Sequence, residues 1–325
     1  MARKPCAVIW SAAKPIRRSA AVAVFSLNVA AFPTSANTYD SLGEANLVSG
    51  DTTHAIANYR RSLALNPGNT NAADVERYLI EGKPGYMGPW ITFTKPQWTQ
   101  WGRLAEHLRT KDLKVMGSIE TFTVADARRY HDATYSIGLG AGRRFVRQVD
   151  LSGRKRIMDI GGGSGAYCIA AAKEHAAIRA VVLDLPVVCE VARDFIAANG
   201  VADRVEAQAC NFTRDPFPAD CDVAIMASNL PMYGRDMIAS VIRKAHDALL
   251  PGGQMHLIGE MTNDQRTGPW GPAYWGLGQA VSDSLGLAHS EADVTGYFRT
   301  VGFLDVGLHD FIAGSLGRVT GTKAG

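Results

Sequence analysis

The segment Arg154–His175 constrains the fold of this chain more than any other part of its sequence. It reads RKRIMDIGGGSGAYCIAAAKEH, in which a short apolar run precedes an aspartate, a glycine cluster and an alanine-rich stretch typical of a helix. Glycines between a strand and a helix let the backbone approach a ligand and point the helix N-terminal amides at it. The segment therefore predicts a strand–turn–helix that binds a nucleotide-like ligand. By itself it also fits the dinucleotide fingerprint, since Gly161, Gly163 and Ala166 occupy the GxGxxA positions.

Strand and helix patterns alternate along the chain after this segment. A second apolar run, AVVLDL, ends in Asp184, at the strand tip where ribose hydroxyls lie in a doubly wound sheet. The next runs have the patterns of a helix, two strands, a helix and a strand: VARDFIAANG, VEAQAC, DVAIMASN, SVIRKAHDALLPGG and QMHLIGEM. This alternation predicts a mostly parallel α/β sheet with ligands at the carboxyl ends of its strands. The last two apolar runs, LDVGLHDF and GRVTGTK, predict an antiparallel hairpin.

The first 72 residues carry a helical pattern instead. Over Asn37–Ala72, apolar residues recur at helical spacing on both sides of a turn at Gly50 and Asp51, and Pro67 ends the second helix. The segment resembles a tetratricopeptide repeat, which implies a peptide-binding or dimerising role; the alternative is a recombined remnant without a role. The matching packing positions are Leu42, Gly43, Ala45, Gly50, Ala55, Tyr59 and Pro67.

The pattern changes after this segment and again before the glycine cluster. The stretch from residue 73 is interrupted by prolines and glycines, and it is followed by helical spacing with interleaved aromatic residues up to Val149. We therefore predict three parts: a repeat-like helical segment at 1–72, a helical region that lines the substrate at 73–150, and a ligand-binding α/β domain at 151–325.

Composition excludes several classes of partner. The 34 Lys and Arg residues nearly balance the 31 Asp and Glu residues, and this small excess is too scattered for nucleic-acid binding. The five cysteines form no CxxC pair, so we expect neither a disulfide framework nor a metal site. No charge-free apolar run reaches the roughly 18 residues that a membrane-spanning helix needs. We expect a cytoplasmic protein without a nucleic-acid or membrane partner.

Four ordered motifs resemble those of S-adenosylmethionine-dependent methyltransferases. They are DIGGGSG, VVLDLP, ALLPGG before a strand ending in Glu260, and GYFRTVGF with the terminal hairpin. The most similar group is the small-molecule O-methyltransferases of acetylserotonin, caffeate and polyketides, and the resemblance extends from Asp74 to the C-terminus. It implies a Rossmann-like sheet preceded by a helical region, S-adenosylmethionine as the cofactor and a small-molecule methyl acceptor. It places these residues at the cofactor: Asp159, Gly161, Gly163, Gly165, Asp184, Leu185, Asn211, Phe212 and Met226.

The sequence departs from this family where the family carries its catalytic base. The base histidine belongs to an LHDW-like stretch, which here reads SNLPMYGRD and places Pro231 at the histidine position and Tyr233 at the aromatic one. The second carboxylate that supports the histidine is matched by Ala288, which leaves Glu260. The dimerising winged-helix domain of the family is also largely missing before residue 74, although a homodimer stays among the expected partners.

Three hypotheses follow from the missing histidine. A thioether has no proton to lose, so the first is base-independent S-methylation of a thioether acid such as methylthiohydroxybutyrate, as in family members of dimethylsulfoniopropionate synthesis, with aromatic rings stabilising the developing sulfonium. A phenol must lose a proton, so the second is O-methylation with a base among Tyr130, His131 and Tyr233. The third is a non-catalytic interaction protein with a relic methyltransferase domain.

Overall fold

The computed structural model describes residues 15–83, 85–95, 101–102, 104–110, 122–281 and 286–325. The chain divides into two compact units, Met1–Pro89 and Trp90–Gly325. The division into three parts, with boundaries after residues 72 and 150, stays a prediction. Within the described ranges, no helix combines the length and the apolarity that crossing a bilayer requires.

The first unit is helical, and the helix hairpin predicted for it is present. Its helices are α1 (Pro15–Ala31), α2 (Ala36–Ser49), α3 (Thr52–Leu65) and α4 (Thr70–Tyr78). Helix α2 ends at Gly50, which has a φ of 87°, and the Asp51 side chain caps α3 by accepting a hydrogen bond from the His54 amide. A Cβ at Gly43 would lie 3.2 Å from the Tyr59 ring, so the glycine allows the two helices to pack closely. The assignment of this hairpin to the tetratricopeptide repeat stays a prediction.

The second unit contains a seven-stranded sheet. Its strands are β1 (Arg156–Ile160), β2 (Arg179–Asp184), β3 (Val205–Ala209), β4 (Val223–Ala227), β5 (Gln254–Gly259), β8 (Leu304–Ile312) and β9 (Leu316–Thr322), while β6 (Met261–Thr262) pairs with β7 (His289–Ser290). The strand order is β3-β2-β1-β4-β5-β9-β8, with β1 to β5 parallel and β9 antiparallel to both of its neighbours. The predicted mostly parallel sheet with an antiparallel C-terminal hairpin is confirmed.

Helices cover both faces of this sheet. In chain order, the helices after α4 are α5 (Gly88–Thr94), α6 (Leu104–Thr110), α7 (Val124–Gln148), α8 (Ala166–Glu174), α9 (Pro186–Ala198), a short 3₁₀ helix (Leu230–Met232), α10 (Arg235–Ala248), α11 (Trp270–Val281) and α12 (Glu291–Val301). One apolar core lies between the sheet and α10 and α12, and a second lies between the sheet and α7, α8 and α9. Because both faces are covered, central strands such as β4 read as continuous apolar runs rather than as alternating ones.

The strand order reverses between β1 and β4, and this point positions the glycine cluster. Ile160, the last residue of β1, is in register with Leu183 on β2 and with Met226 on β4. The turn after Ile160 therefore has a strand tip on each side. Ligands of open α/β sheets bind in the crevice at such a reversal.

Helix α7 packs closely against the start of α8, directly beside the glycine turn. A Cβ at Gly142 would lie 2.8 Å from the carbonyl oxygen of Ala166, so only a glycine allows this approach. Thr123 and Asp126 fix the start of α7 through a reciprocal capping box. This packing fixes the position of the residues that α7 presents to the turn.

Candidate functional site

The glycine turn is tied to the tip of β2 by Asp184. Gly161, Gly163 and Gly165 have φ angles of 65°, 57° and 76°, a region that residues with a side chain rarely adopt. The amides of Gly163 and Leu185 donate to the two carboxylate oxygens of Asp184, each at 2.8 Å. Burial raises the pKa of Asp184, and these two hydrogen bonds oppose the shift. A carboxylate has about four lone-pair positions, so Asp184 keeps acceptor capacity for a ligand.

Asp159 is a second buried carboxylate, near the end of β1. It is 1% exposed, and its Oδ2 accepts a weak hydrogen bond from Cys168 Sγ at 3.7 Å. Its Oδ1 is buried and has no hydrogen-bond partner in the part of the chain that the structure describes. Burial raises the pKa of Asp159 to about 7; the Cys168 hydrogen bond opposes this rise, and the charge of Asp184 adds to it. Buried charges in proteins are normally paired, so this carboxylate suits a positively charged ligand group.

We expect Asp159→Asn to stabilise the ligand-free protein at neutral pH. The pKa of about 7 in the folded state lies above the ordinary 3.8, so the folded state binds more protons and its stability falls as pH rises between these values. The variant has no carboxylate to titrate. Urea unfolding from about pH 4 to 8 should show a stability gain that grows with pH and is constant above about pH 7. The control is Asp203→Asn, at a carboxylate that is 72% exposed; a gain independent of pH would contradict the prediction.

Helix α7 places Tyr130 and His131 beside the glycine turn. A Cβ at Gly163 would lie 2.7 Å from His131 Cε1, so the imidazole fills the space next to the turn. Burial, aided by a nearby arginine charge, lowers the pKa of His131 to about 4, and the ring is neutral at pH 7. The Tyr130 ring packs edge-on against His131, with 5.1 Å between the ring centroids. Burial raises the pKa of Tyr130, and the charges of Glu260 and Asp184 raise it further, so this hydroxyl stays protonated.

Glu260 follows β5 at the same edge of the sheet. A Cβ at the preceding Gly259 would lie 2.8 Å from Leu230 Cβ, so the end of β5 adjoins the 3₁₀ helix Leu230–Met232. Glu260 Oε2 is buried and has no hydrogen-bond partner among the described residues, and burial raises the pKa of this carboxyl. The hydroxyl of Tyr167, on α8, is likewise buried and unpartnered within the described ranges. No motif singles out Tyr167, because a tyrosine in an alanine-rich helix has the pattern of a packing residue.

The other predicted site residues lie against the glycine turn, in the loop after β3 or in the core. The Phe212 ring closes on the turn, since a Cβ at Gly161 would lie 2.9 Å from Phe212 Cε1, and the Tyr233 ring packs edge-on against Phe212 with centroids 5.3 Å apart. Asn211 Oδ1 accepts hydrogen bonds from the amide and the hydroxyl of Thr213, so it shapes the loop after β3. Met226 packs in the core beneath the turn. The roles assigned to these residues from the sequence stay predictions.

Stacked aromatic rings lie on α11, which contacts the 3₁₀ helix beside β5. The Tyr274 ring stacks on Trp101 with centroids 4.6 Å apart and on Trp270 with centroids 5.1 Å apart. Trp270 is 78% exposed. Flat aromatic surface is therefore available on a helix that contacts the 3₁₀ helix beside the end of β5.

Comparison with known proteins gives consistent results. Residues 118–303 match the profile of the O-methyltransferase domain family. The chain is 29% identical over 263 residues to 3-hydroxy-5-methyl-1-naphthoate 3-O-methyltransferase of Streptomyces sahachiroi, covering 78% of this chain and 75% of that enzyme. It is 27% identical over 243 residues to the tetracenomycin polyketide synthesis 8-O-methyl transferase of Streptomyces glaucescens, covering 73% and 71% of the two chains.

A solved structure shares the fold over nearly the whole chain. Human N-acetylserotonin methyltransferase, crystallised in complex with S-adenosylmethionine, superimposes with a TM-score of 0.69 at 17% sequence identity and covers 96% of this chain and 95% of that one. At this level of identity the similarity shows the fold alone.

Proposed function

This chain belongs to the family of O-methyltransferase domains, and on that premise we propose that it transfers the methyl group of S-adenosylmethionine to a phenolic oxygen of a small fused-ring aromatic molecule. The proposal rests on two buried carboxylate oxygens at the carboxyl ends of the parallel strands, one on Asp159 and one on Glu260, which have no hydrogen-bond partner among the described residues.

The residues at the turn fit this cofactor. When bound, S-adenosylmethionine supplies a methyl group on a sulfonium, a leaving group already activated by its charge. Its sulfonium and its ammonium group are both positive, which suits a site with two buried carboxylates. Asp159 would hold positive charge, the main chain around Gly163 would border the methionine portion, and the remaining lone pairs of Asp184 would accept the ribose hydroxyls.

The aromatic stack supports a planar acceptor. The rings of Trp101, Tyr274 and Trp270 offer flat faces on and beside α11, and offset stacking stabilises aromatic pairs. The Streptomyces sahachiroi relative is named for a hydroxynaphthoate, a two-ring phenolic acid. We therefore propose that the acceptor of this chain is a fused-ring phenol.

A phenol must lose its proton during methylation, and Glu260 is the group best suited to accept it. Pro231 stands where the family places its histidine, the neutral His131 has a pKa of about 4, and Tyr130 is protonated. Glu260 combines a raised carboxyl pKa with a buried, unpartnered oxygen beside the 3₁₀ helix that contains Pro231. Glu260 therefore replaces, as the proposed base, the three residues selected from the sequence: Tyr130, His131 and Tyr233.

Sulfur methylation of a thioether acid is the second candidate. It needs no base, and the Tyr130 ring beside the glycine turn is the observation that favours it, because an aromatic face stabilises a developing sulfonium. Glu260, however, offers a buried carboxylate with a raised pKa that can accept a proton, and only the phenol reaction requires such a group.

The test is methyl transfer by the purified full chain with isotope-labelled S-adenosylmethionine. One set of acceptors contains hydroxynaphthoic acids, and the matched set contains thioether acids, including methylthiohydroxybutyrate. We expect O-methylated hydroxynaphthoates and unchanged thioether acids. Methylation of the thioether acids alone would favour the sulfur hypothesis, and failure to bind S-adenosylmethionine would favour the relic-domain hypothesis.

A further inference from the structure

A cavity of about 440 Å³ lies far from the glycine turn, near the amino ends of β1 and β5. The glycine turn lies at the opposite, carboxyl ends of the parallel strands, so the two places are distinct. Four basic side chains line the cavity: Arg154, His256, His309 and Arg318.

Arg318 is the unusual member of this group, because it is a buried cation. It is 7% exposed, and its Nη1 lies 3.2 Å from Nδ1 of His256 rather than beside a carboxylate. Its Nε has no hydrogen-bond partner within the part of the chain that the structure describes. Burial lowers its pKa, and within the described ranges no acidic side chain opposes the shift. A buried charge without a counter-charge is unfavourable. An anion bound beside Arg318 would therefore stabilise its guanidinium.

The neighbouring groups add positive charge and unpartnered hydrogen-bond donors to the cavity. Burial lowers the pKa of His256 to about 3, and the charges of Arg318, Arg154 and His309 lower it further. His256 Nε2 is buried and unpartnered among the described residues. Arg154 Nη1 donates to a backbone carbonyl at 3.0 Å, which leaves other guanidinium donors available. Asp150, the acidic residue in the lining, is exposed; hydrogen bonds from Ser152 lower its pKa, and the charges of His175 and Arg154 lower it further. Asp150 is therefore a partial counter-charge to Arg154.

We propose that this cavity binds a small oxyanion, the phosphate or carboxylate group of a metabolite-sized molecule, between Arg318 and Arg154. Guanidinium groups bind such oxyanions through paired, charge-assisted hydrogen bonds. The volume of about 440 Å³ falls within the range of about 300 to 1,000 Å³ that small-molecule sites occupy. An anion here neutralises Arg318, and it can accept a hydrogen bond from His256 Nε2, which carries the ring proton because Nδ1 accepts from Arg318 Nη1. The site is independent of the proposed methyl transfer.

The test is calorimetric titration of the full chain with inorganic phosphate and, separately, with citrate, each at constant ionic strength maintained with chloride. We expect saturable binding of at least one of them, and a weakening of about tenfold or more in Arg154→Gln. Arg147→Gln, at an exposed arginine outside the cavity lining, is the matched control and should bind as the unmodified chain does.

The two anions distinguish the chemistry of the ligand. Binding of phosphate but not citrate assigns a phosphate group, and the converse assigns a carboxylate. The His256 ring resonances supply a second readout, since bound anion should raise the pKa of this imidazole. Lack of saturable binding by both anions, or equal weakening in Arg154→Gln and Arg147→Gln, would overturn the proposal.

Discussion

Asp184→Ala is expected to weaken the binding of S-adenosylmethionine by about 100-fold or more, because the variant loses two charge-assisted hydrogen bonds to ribose of about 1.5 to 3 kcal/mol each. The alanine also removes the acceptor that holds the Gly163 amide at 2.8 Å, so the glycine turn loses its link to β2. Calorimetric titration with S-adenosylhomocysteine measures the effect without turnover. A change smaller than about threefold would contradict the role of this carboxylate.

Two further variants distinguish the effect of the Asp184 charge on binding from its effect on the stability of the fold. Asp184→Asn keeps one side-chain oxygen for an amide of Gly163 or Leu185 but removes the negative charge, so we expect an affinity between those of the unmodified chain and the alanine variant. Asp203→Ala removes a carboxylate that is 72% exposed and should leave the affinity unchanged. Thermal unfolding of all three variants shows whether a loss of affinity reflects a loss of fold.

The sheet and its glycine turn follow directly from the sequence, because both depend on local patterns. Buried parallel strands require continuous apolar runs, and the positive φ angles at Gly161, Gly163 and Gly165 require residues without a side chain. The position of Asp184 at the tip of β2 is also a local consequence of where its strand ends. These features are therefore readable without knowledge of the packing.

The remaining features of the site depend on contacts between distant segments. Asp184 and Gly163 are linked only because β1 and β2 pair in one register, and His131 meets Gly163 only because α7 packs closely on α8 at Gly142. The unpartnered oxygen of Glu260 is likewise a property of its surroundings and not of its sequence motif. The repeat-like segment, the homodimer, the peptide partner and the cytoplasmic location stay predictions.

Glu260→Gln is expected to lower the rate of O-methylation by about 100- to 10,000-fold, the usual contribution of a general base. Glutamine preserves the size and shape of the side chain but cannot accept the phenolic proton. Single-turnover measurements with saturating cofactor isolate the chemical step from product release. Glu190→Gln, at an exposed glutamate on α9, is the matched control and should retain the full rate.

The pH dependence of the same rate identifies the group that accepts the proton. Because the base acts in its ionised form, the rate should rise about tenfold per pH unit below the pKa of Glu260 and then level off. Burial raises that pKa, so the midpoint of the rising part of the pH profile should lie above the ordinary pKa range of a glutamate. Glu260→Gln should abolish this rise. The pKa of His131 is about 4, so His131→Gln should leave the rise in place. A rate that is flat from about pH 6 to 9 and insensitive to Glu260→Gln would contradict proton removal and favour a thioether acceptor, which attacks through a lone pair and has no proton to lose.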